Sequence, residues 1–557
     1  MWGAIGWFGW TLGCVSLYFD RMNASRLESA LDAWRADLEP ARVRTDQETL
    51  TACMQNAGAV ERNIPAVLFP KSTEEVRKLV LTANRFQAPV HPISGGKNWG
   101  LGSRLPVRDG TVVVDLGGMN RIREFDVRHR YAVVEAGVTQ RELYERILGE
   151  RAPLLLNVTG APGDTSLVGN ALERGVGYFA SRADGLSGLE VVLGNGQVIR
   201  TGFGHFAGSR LTHLCRHGVG PSLDGLFVES CFGIVTAAGF DLIAAPEAHA
   251  VMISKIARPE LLGDFIDALA ALRRCGALNS VVHVGNRERT EIILAPLLLE
   301  QLHPGADGSD PALRRQMKER LAAEGFGPWS AVGALMGSRA QVREAKARVR
   351  AALKGFAKTI FLDDGTVALA KRLGRALNFI PWVRGREAML AAVEPLYGLA
   401  RGIPTDAAMK SVYWPVGETQ QAGDQNPDHS HSGLLFCVPM LPADGAAARD
   451  AVARVESTYA RYGFTPYITL NMVEDRFIET VINLAFDRND PERVKAAHAC
   501  NDELTAAFVR DGLIPYRVGV QSMGQVVDPA DPFWQTVGEL KKALDPNGII
   551  APGRYCP

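Results

Sequence analysis

The stretch IPAVLFPKSTEEVRKLVLTANRFQAPVHPI, residues 64 to 93, constrains the fold more than any other part of the chain. Apolar runs at both ends flank a segment in which Val76, Leu79, Val80 and Ala83 recur at helical spacing, with Ser72 or Thr73 as the cap ahead of Glu74 and Glu75. The order is strand, capped helix, strand. Such a βαβ unit predicts two parallel strands joined by a helical crossover. The second strand feeds directly into SGGKNWGLG, where Gly95, Gly96, Gly100 and Gly102 crowd together around Lys97 and Asn98. Glycines at that density allow positive φ and close approach of backbone to a bulky ligand, and consecutive N–H groups in such a turn suit phosphate. A plain surface turn is written in the same letters, so the decision rests on context.

Downstream, TVVVDL and YAVVEAGV read as strands, Gln140 to Leu148 as a helix, and Gly160 to Gly177 as a glycine-rich segment. LEVVLGNGQVIRTG reads as a hairpin turning at Asn195-Gly196. From about Ala245 the texture changes. Longer helices (Glu260 to Cys275, Pro311 to Glu324, Arg339 to Lys354) alternate with the strand-like runs VVHVG, TEIILAPLL and GLLFCVPML, as in a second α+β domain. The last fifty residues return to short motifs rich in Gly, Pro and Asp and end in ALDPNGIIAPGRY, which is expected to rejoin the first domain.

A chain of 557 residues exceeds one core, and 46% apolar with 22% charged residues is ordinary globular composition. Lys plus Arg equals Asp plus Glu at 61 each, with no basic stripe, which argues against a nucleic-acid partner. Eight cysteines between Cys14 and Cys556 show no CxxC or metal-type spacing, so they read as free thiols in a reducing, cytoplasmic compartment, with neither a disulfide framework nor a metal site. Met1 to Phe19 carries no charge and falls just short of the roughly 20 apolar residues that cross a bilayer. Residues 1–21 therefore have three readings: a membrane-docking helix, a processed segment, or a start placed upstream of Met22, after which NASRLESALDAW opens an amphipathic helix near Arg26 to Leu38.

PISGGKNWGLG, GNALERGVGYF, GLEVVLGNGQVIRTG, GPSLDGLFVESCFGIVT and LDPNGIIAPGRY, in that order, resemble the vanillyl-alcohol oxidase and p-cresol methylhydroxylase family of flavoproteins, in particular its branch acting on para-substituted phenols. The resemblance runs from about Pro65 onward and is looser in the middle. It implies an α+β, two-domain flavoprotein: a PCMH-type FAD-binding domain of two subdomains from residues 22–245, a cap over the isoalloxazine from 246–500, and a segment 501–557 that returns to the first domain. It also implies a homodimer. The loop Pro92, Ile93, Ser94, Gly95, Gly96, Lys97, Asn98, Trp99 and on to Gly102 would wrap the FAD diphosphate. Gly169, Asn170, Glu173, Arg174 and Gly177 would line the flavin from another side, Gly233, Ile234 and Val235 would give backbone contacts, and Arg554 would stand near the ring system.

Two departures bear on chemistry. Relatives that bond their flavin covalently use a histidine in the glycine loop, or a histidine or tyrosine on the cap. Here Lys97 and Leu434 fill the two histidine positions, so non-covalent FAD is expected, with Tyr413, His429 and His431 as alternative attachment points. Relatives that oxidise phenols grip the phenolate with two tyrosines and an arginine. Tyr516 and Arg517 match two of these, Leu101 replaces the third as an apolar wall, and Ala161 stands where some relatives carry an assisting aspartate, with Asp164 out of register. Tyr178 matches the tyrosine that faces the ring. The resemblance thus implies hydride removal from an activated C–H of a phenol or alcohol, with Tyr178, Tyr516 and Arg517 as catalytic and substrate-binding residues. Dioxygen, a cytochrome or a quinone would take the electrons. The two missing groups keep other substrates open, namely an aliphatic alcohol, a hydroxy acid or a natural-product intermediate, as well as a redox-inactive flavin-binding subunit.

Overall fold

Ser72 caps the helix Thr73–Phe86 by accepting a hydrogen bond from the Glu75 N–H, and Val76, Leu79, Val80 and Ala83 on its inner face are fully buried. Each Val or Leu so buried stabilises the fold by about 1.5–3 kcal/mol. The helix links Val67–Leu68 to Val90–Ile93, and both strands run parallel to Val112–Asp115, which lies between them. Val43–Arg44 completes this four-stranded sheet. The helix over residues 25–37 packs on the crossover, and its buried Trp34 donates to the Leu79 carbonyl at 3.1 Å. The computed structural model describes residues 25–376, 381–418 and 426–557, and the apolar segment 1–21 lies outside them. No helix among the described residues is long and apolar enough to cross a membrane.

A five-stranded antiparallel sheet follows, in the order Ile122–Asp126, Tyr131–Glu135, Gly233–Asp241, Leu186–Leu193, Val198–Arg200. The expected hairpin closes where the Gly196 N–H donates to the Leu193 carbonyl, with Gly196 at φ +80°. One apolar core runs through both sheets and takes in Ile549, Ile550 and Ala551. The C-terminal motif enters as an extension of the parallel sheet: the Val90 N–H donates to the Ile549 carbonyl and the Ala551 N–H to the Val90 carbonyl. A buried pair fastens it. Lys541 lies 2.6 Å from Asp545 and also donates to the Cys231 and Ile550 carbonyls. The region is less fragmentary than its Gly, Pro and Asp content predicts, because Pro532–Leu544 forms a 13-residue helix capped by Asp531.

Residues 248–487 supply an eight-stranded antiparallel sheet. Its order is Ala357–Leu362, Ala248–Ile256, Trp329–Gly337, Val282–Asn286, Tyr467–Met472, Phe477–Asp487, Ser432–Cys437, with Met440–Pro442 paired alongside Phe477–Asp487. Helices Leu262–Arg274, Gly445–Tyr462 and Pro491–Arg510 bury their apolar faces against it. TEIILAPLL, read above as a strand, is instead the body of the helix Arg287–Leu302, which starts where the Asn286 side chain accepts from the Arg289 N–H. Its uninterrupted apolar run fits either element. The helical form buries Ile292, Leu294, Ala295, Leu297, Leu298 and Leu299 against helices Pro311–Ala323 and Pro381–Leu399.

Candidate functional site

The glycine loop leaves the carboxyl end of a parallel strand, where open α/β sheets place their ligands. It forms one wall of a cavity of about 450 Å³. Gly96 takes φ +66°, and a Cβ there would lie 2.3 Å from Arg104 Cγ; a Cβ on Gly100, at φ +75°, would lie 2.5 Å from Phe436 Cδ2. The sequence uses glycine at both points because backbone and side chain pass too closely for anything larger. Among the described residues, nothing accepts from the backbone N–H groups of Gly95, Gly96, Lys97 or Asn98, all of which line the cavity. A row of N–H groups without acceptors suits a diphosphate. Buried Thr165 Oγ1 and Asn170 Oδ1 on the same wall are likewise without partners. The residues present fit an FAD.

Most of the residues expected to hold the cofactor meet here: Pro92 through Trp99, Gly169, Asn170, Glu173, Gly233, Val235 and Arg554 line the cavity. Four do not, each for a local reason. Ile234 lies between Gly233 and Val235 on a strand, so it points to the opposite face, into the core. Gly102 is backed by Val520, and Gly177 by Asn157 and the Ala180 carbonyl. Arg174 turns away at φ +49° to act as a brace, donating to the Tyr516 carbonyl at 3.2 Å and facing Glu229 at 3.8 Å and Glu479 at 3.6 Å. Arg554 is ion-paired with Glu173, and Lys97 with Asp164. Leu434 lines the cavity, whereas Tyr413, His429 and His431 stand outside its wall.

Tyr178, Leu101, Tyr516 and Arg517 share the cavity. Tyr516 is held by its N–H to the Val438 carbonyl, and Arg517 by Nη1 to the Glu173 carbonyl. Among the described residues, the Tyr516 hydroxyl and Arg517 Nε, both buried, have no hydrogen-bond partner. Burial pushes the Tyr516 phenol up to about 12 against the opposing pull of Arg517, so at neutral pH the hydroxyl keeps its proton and is a donor. Two carboxyls flank this group. Burial raises Glu229, on the cavity wall, to about 8 and Glu479 to about 7, with Arg174 opposing both shifts.

Four residues on the cap side escaped the sequence reading. His283, on strand Val282–Asn286, stacks beside Tyr178 with ring centroids 4.5 Å apart, and its Nδ1 is 2.7 Å from Asn471 Oδ1. An amide oxygen at that distance assigns the proton to Nδ1, which leaves buried Nε2 as an unpartnered acceptor. Burial pulls this imidazole down to about 4, so it is neutral. Asn483, Arg289 and Ser411 also line the cavity. A histidine inside the apolar strand VVHVG was the one available signal, since a polar residue facing a core needs a reason.

Residues 64–202 match the FAD binding domain family. Over 538 residues, covering 96% of this chain and 98% of the relative, the sequence is 32% identical to the 1'-carboxy-chondrochloren decarboxylase of Chondromyces crocatus. It is 29% identical to the flavoprotein subunit of the hydroxylating 4-cresol dehydrogenase of Pseudomonas putida, over 88% of this chain and 87% of that one. The fold matches 4-ethylphenol oxidase from Gulosibacter chungangensis in its isoeugenol complex, with a TM-score of 0.80 and 26% identity, covering 96% of this chain and 97% of the other. It also matches substrate-bound p-cresol methylhydroxylase, with a TM-score of 0.79 and 27% identity over 95% and 97%. A glycine loop suited to diphosphate, an eight-stranded sheet lining the same cavity and likeness along nearly the whole chain lead to one conclusion: the chain is an FAD-dependent oxidoreductase and belongs to the vanillyl-alcohol oxidase and p-cresol methylhydroxylase family.

Proposed function

We propose that this enzyme removes a hydride from the activated C–H of a para-substituted phenol. The observation that carries this reading is the pair of orphaned groups, Tyr516 Oη and Arg517 Nε, buried side by side on the cavity wall. The glycine loop holds the cofactor through its free N–H groups, without a covalent bond, because Lys97 and Leu434 supply no imidazole and Tyr413, His429 and His431 lie outside the cavity. Bound FAD supplies the two-electron acceptor for the hydride.

Tyr516 donates a hydrogen bond to the phenolic oxygen and the Arg517 guanidinium stands beside it, so the phenol is held as its phenolate, its proton released to solvent, and the phenolate's electron pair moves into the ring as the hydride leaves the para substituent. Both groups are fixed before binding, so the phenolate is stabilised without reorganisation. Leu101 presents an apolar wall where a third hydroxyl would stand, so the anion is held by two groups. Tyr178 orients the ring, and neutral His283 offers Nε2 as the acceptor for a proton on the cap side. Arg174 acts indirectly, by bracing Tyr516 and screening Glu229 and Glu479.

The decisive experiment is anaerobic mixing of the purified holoenzyme with para-alkylphenols, their carboxylated analogues, benzylic alcohols and hydroxy acids, reading the flavin's visible absorption. Bleaching by para-alkylphenols and not by aliphatic hydroxy acids supports the reading; the reverse order overturns it. Admitting air, or a cytochrome or quinone, to the bleached enzyme then identifies the electron acceptor by the return of colour.

A further inference from the structure

The cavity has a second cationic pole that the phenol reading leaves unused. Arg289 sits in the first turn of the helix Arg287–Leu302, and its side chain lines the cavity. Burial pulls its guanidinium down to about 10, which still leaves it charged at neutral pH. The other cations around the cavity have acidic neighbours: Lys97 pairs with Asp164, Arg554 with Glu173, and Arg174 stands between Glu229 and Glu479. Arg517 is attracted by Glu173. No carboxylate among the described residues reaches Arg289. Among the described residues its one side-chain partner is Ser411 Oγ, a long 3.4 Å from Nη1, and buried Nε has no acceptor.

An ion held out of water without a counter-charge costs several kcal/mol, and buried charges are otherwise paired. Tyr178 and His283 approach Arg289 but do not resolve its charge: the phenol, pushed up to about 12, and the imidazole, pulled down to about 4, are both neutral at pH 7. The planar fork of an arginine with free N–H groups matches a carboxylate bidentately. We infer that Arg289, with Ser411 beside it, docks a carboxylate carried by the substrate. This deepens the phenol reading and rests on it. Tyr516 and Arg517 hold the phenolic oxygen, Arg289 holds an acid group elsewhere on the same molecule, and the substrate class is a para-hydroxyaryl alkanoic acid.

The test compares 3-(4-hydroxyphenyl)propanoate with its nearly isosteric amide on the FAD-loaded wild type and on Arg289→Gln, Arg289→Lys and Ser411→Ala. Dissociation constants come from the concentration dependence of flavin bleaching under anaerobic mixing. If neither compound bleaches the flavin, the hydride reading fails by itself, and the shift of the flavin's visible band on binding still reports both constants. The wild type is expected to bind the acid about tenfold to a hundredfold tighter than the amide, as a charge-assisted pair requires. Arg289→Gln should collapse that ratio to near one, Arg289→Lys should keep part of it, and Ser411→Ala should lower it less. Equal affinity for acid and amide in the wild type, no measurable acid complex at millimolar concentration, or a preserved ratio in Arg289→Gln overturns the inference. The wild-type comparison stands even if the buried Arg289 variants fail to fold.

Discussion

Tyr516→Phe separates function from packing, because the two readings of this residue predict opposite signs. The ring is fully enclosed, and phenylalanine preserves its contacts with Arg174 and Arg517, whose guanidinium carbons lie 5.5 and 5.6 Å from the ring centre. The hydroxyl is buried and makes no hydrogen bond. A buried donor left unsatisfied costs about 1–3 kcal/mol, so deleting it should leave the protein as stable as before, or more stable by up to that amount. Catalysis should move the other way. Losing one preorganised donor to the phenolate lowers the ionised, reactive fraction of bound substrate, and at the about 2.7–4 kcal/mol typical of one oxyanion donor reduction slows roughly a hundred- to a thousandfold. Arg517 addresses the same oxygen, so Tyr516→Phe combined with Arg517→Met should lose less than the sum of the single losses. The assays are thermal unfolding followed by circular dichroism and single-turnover flavin reduction by 4-ethylphenol. A clear drop in unfolding midpoint with an unchanged reduction rate would refute the reasoning and make Tyr516 a structural residue.

Gly96→Val should abolish flavin retention, since its Cβ would meet Arg104 Cγ at 2.3 Å in a backbone at φ +66°; a normal flavin-to-protein absorbance ratio after purification would contradict this. FAD should leave the protein on acid precipitation, and yellow colour staying with the pellet would point back to Tyr413, His429 or His431 as an attachment point. Glu229→Gln should change how stability varies with pH. Burial lifts Glu229 to about 8, so the folded state keeps a proton that the unfolded chain releases above its ordinary range. That contribution is complete below about pH 4.5 and is lost as pH rises to about 8, so the unfolding midpoint of the wild type should fall relative to Glu229→Gln across that interval. Parallel curves for the two proteins would remove Glu229 from the account.

Local signals carried the sequence reading a long way. The cap at Ser72, the helical stripe behind it and the glycines after Ile93 are each specified by neighbours a few residues apart, and together they led to a loop that lines the cavity. The Tyr516-Arg517 pair was equally legible, because both residues lie in one short motif. What stayed hidden depends on strand register and on pairs far apart in the chain. His283 acquires its tautomer from Asn471, and Tyr467 pairs with Asn483 across the cap sheet, contacts that no run of letters announces. Arg289 was obscured for a different reason: the apolar run after it fits a strand as well as a helix, and only packing against Met317, Leu321 and Trp414 decides. Ile234 shows the converse, a residue inside the right motif that the pleat turns to the wrong face.

The parallel bridge between Val90 and Ile550 sets the order in which the protein becomes an enzyme. Residues Ile549 to Arg554 are synthesised long after the strand they join. Until they arrive, the Val90 backbone lacks its partners and Glu173 lacks Arg554. The cap sheet, formed from one continuous stretch of chain, has no such wait. A chain that has not yet made Ile549 to Arg554 therefore has its eight-stranded sheet complete while the glycine-loop side of the cavity still lacks Ala551 and Arg554.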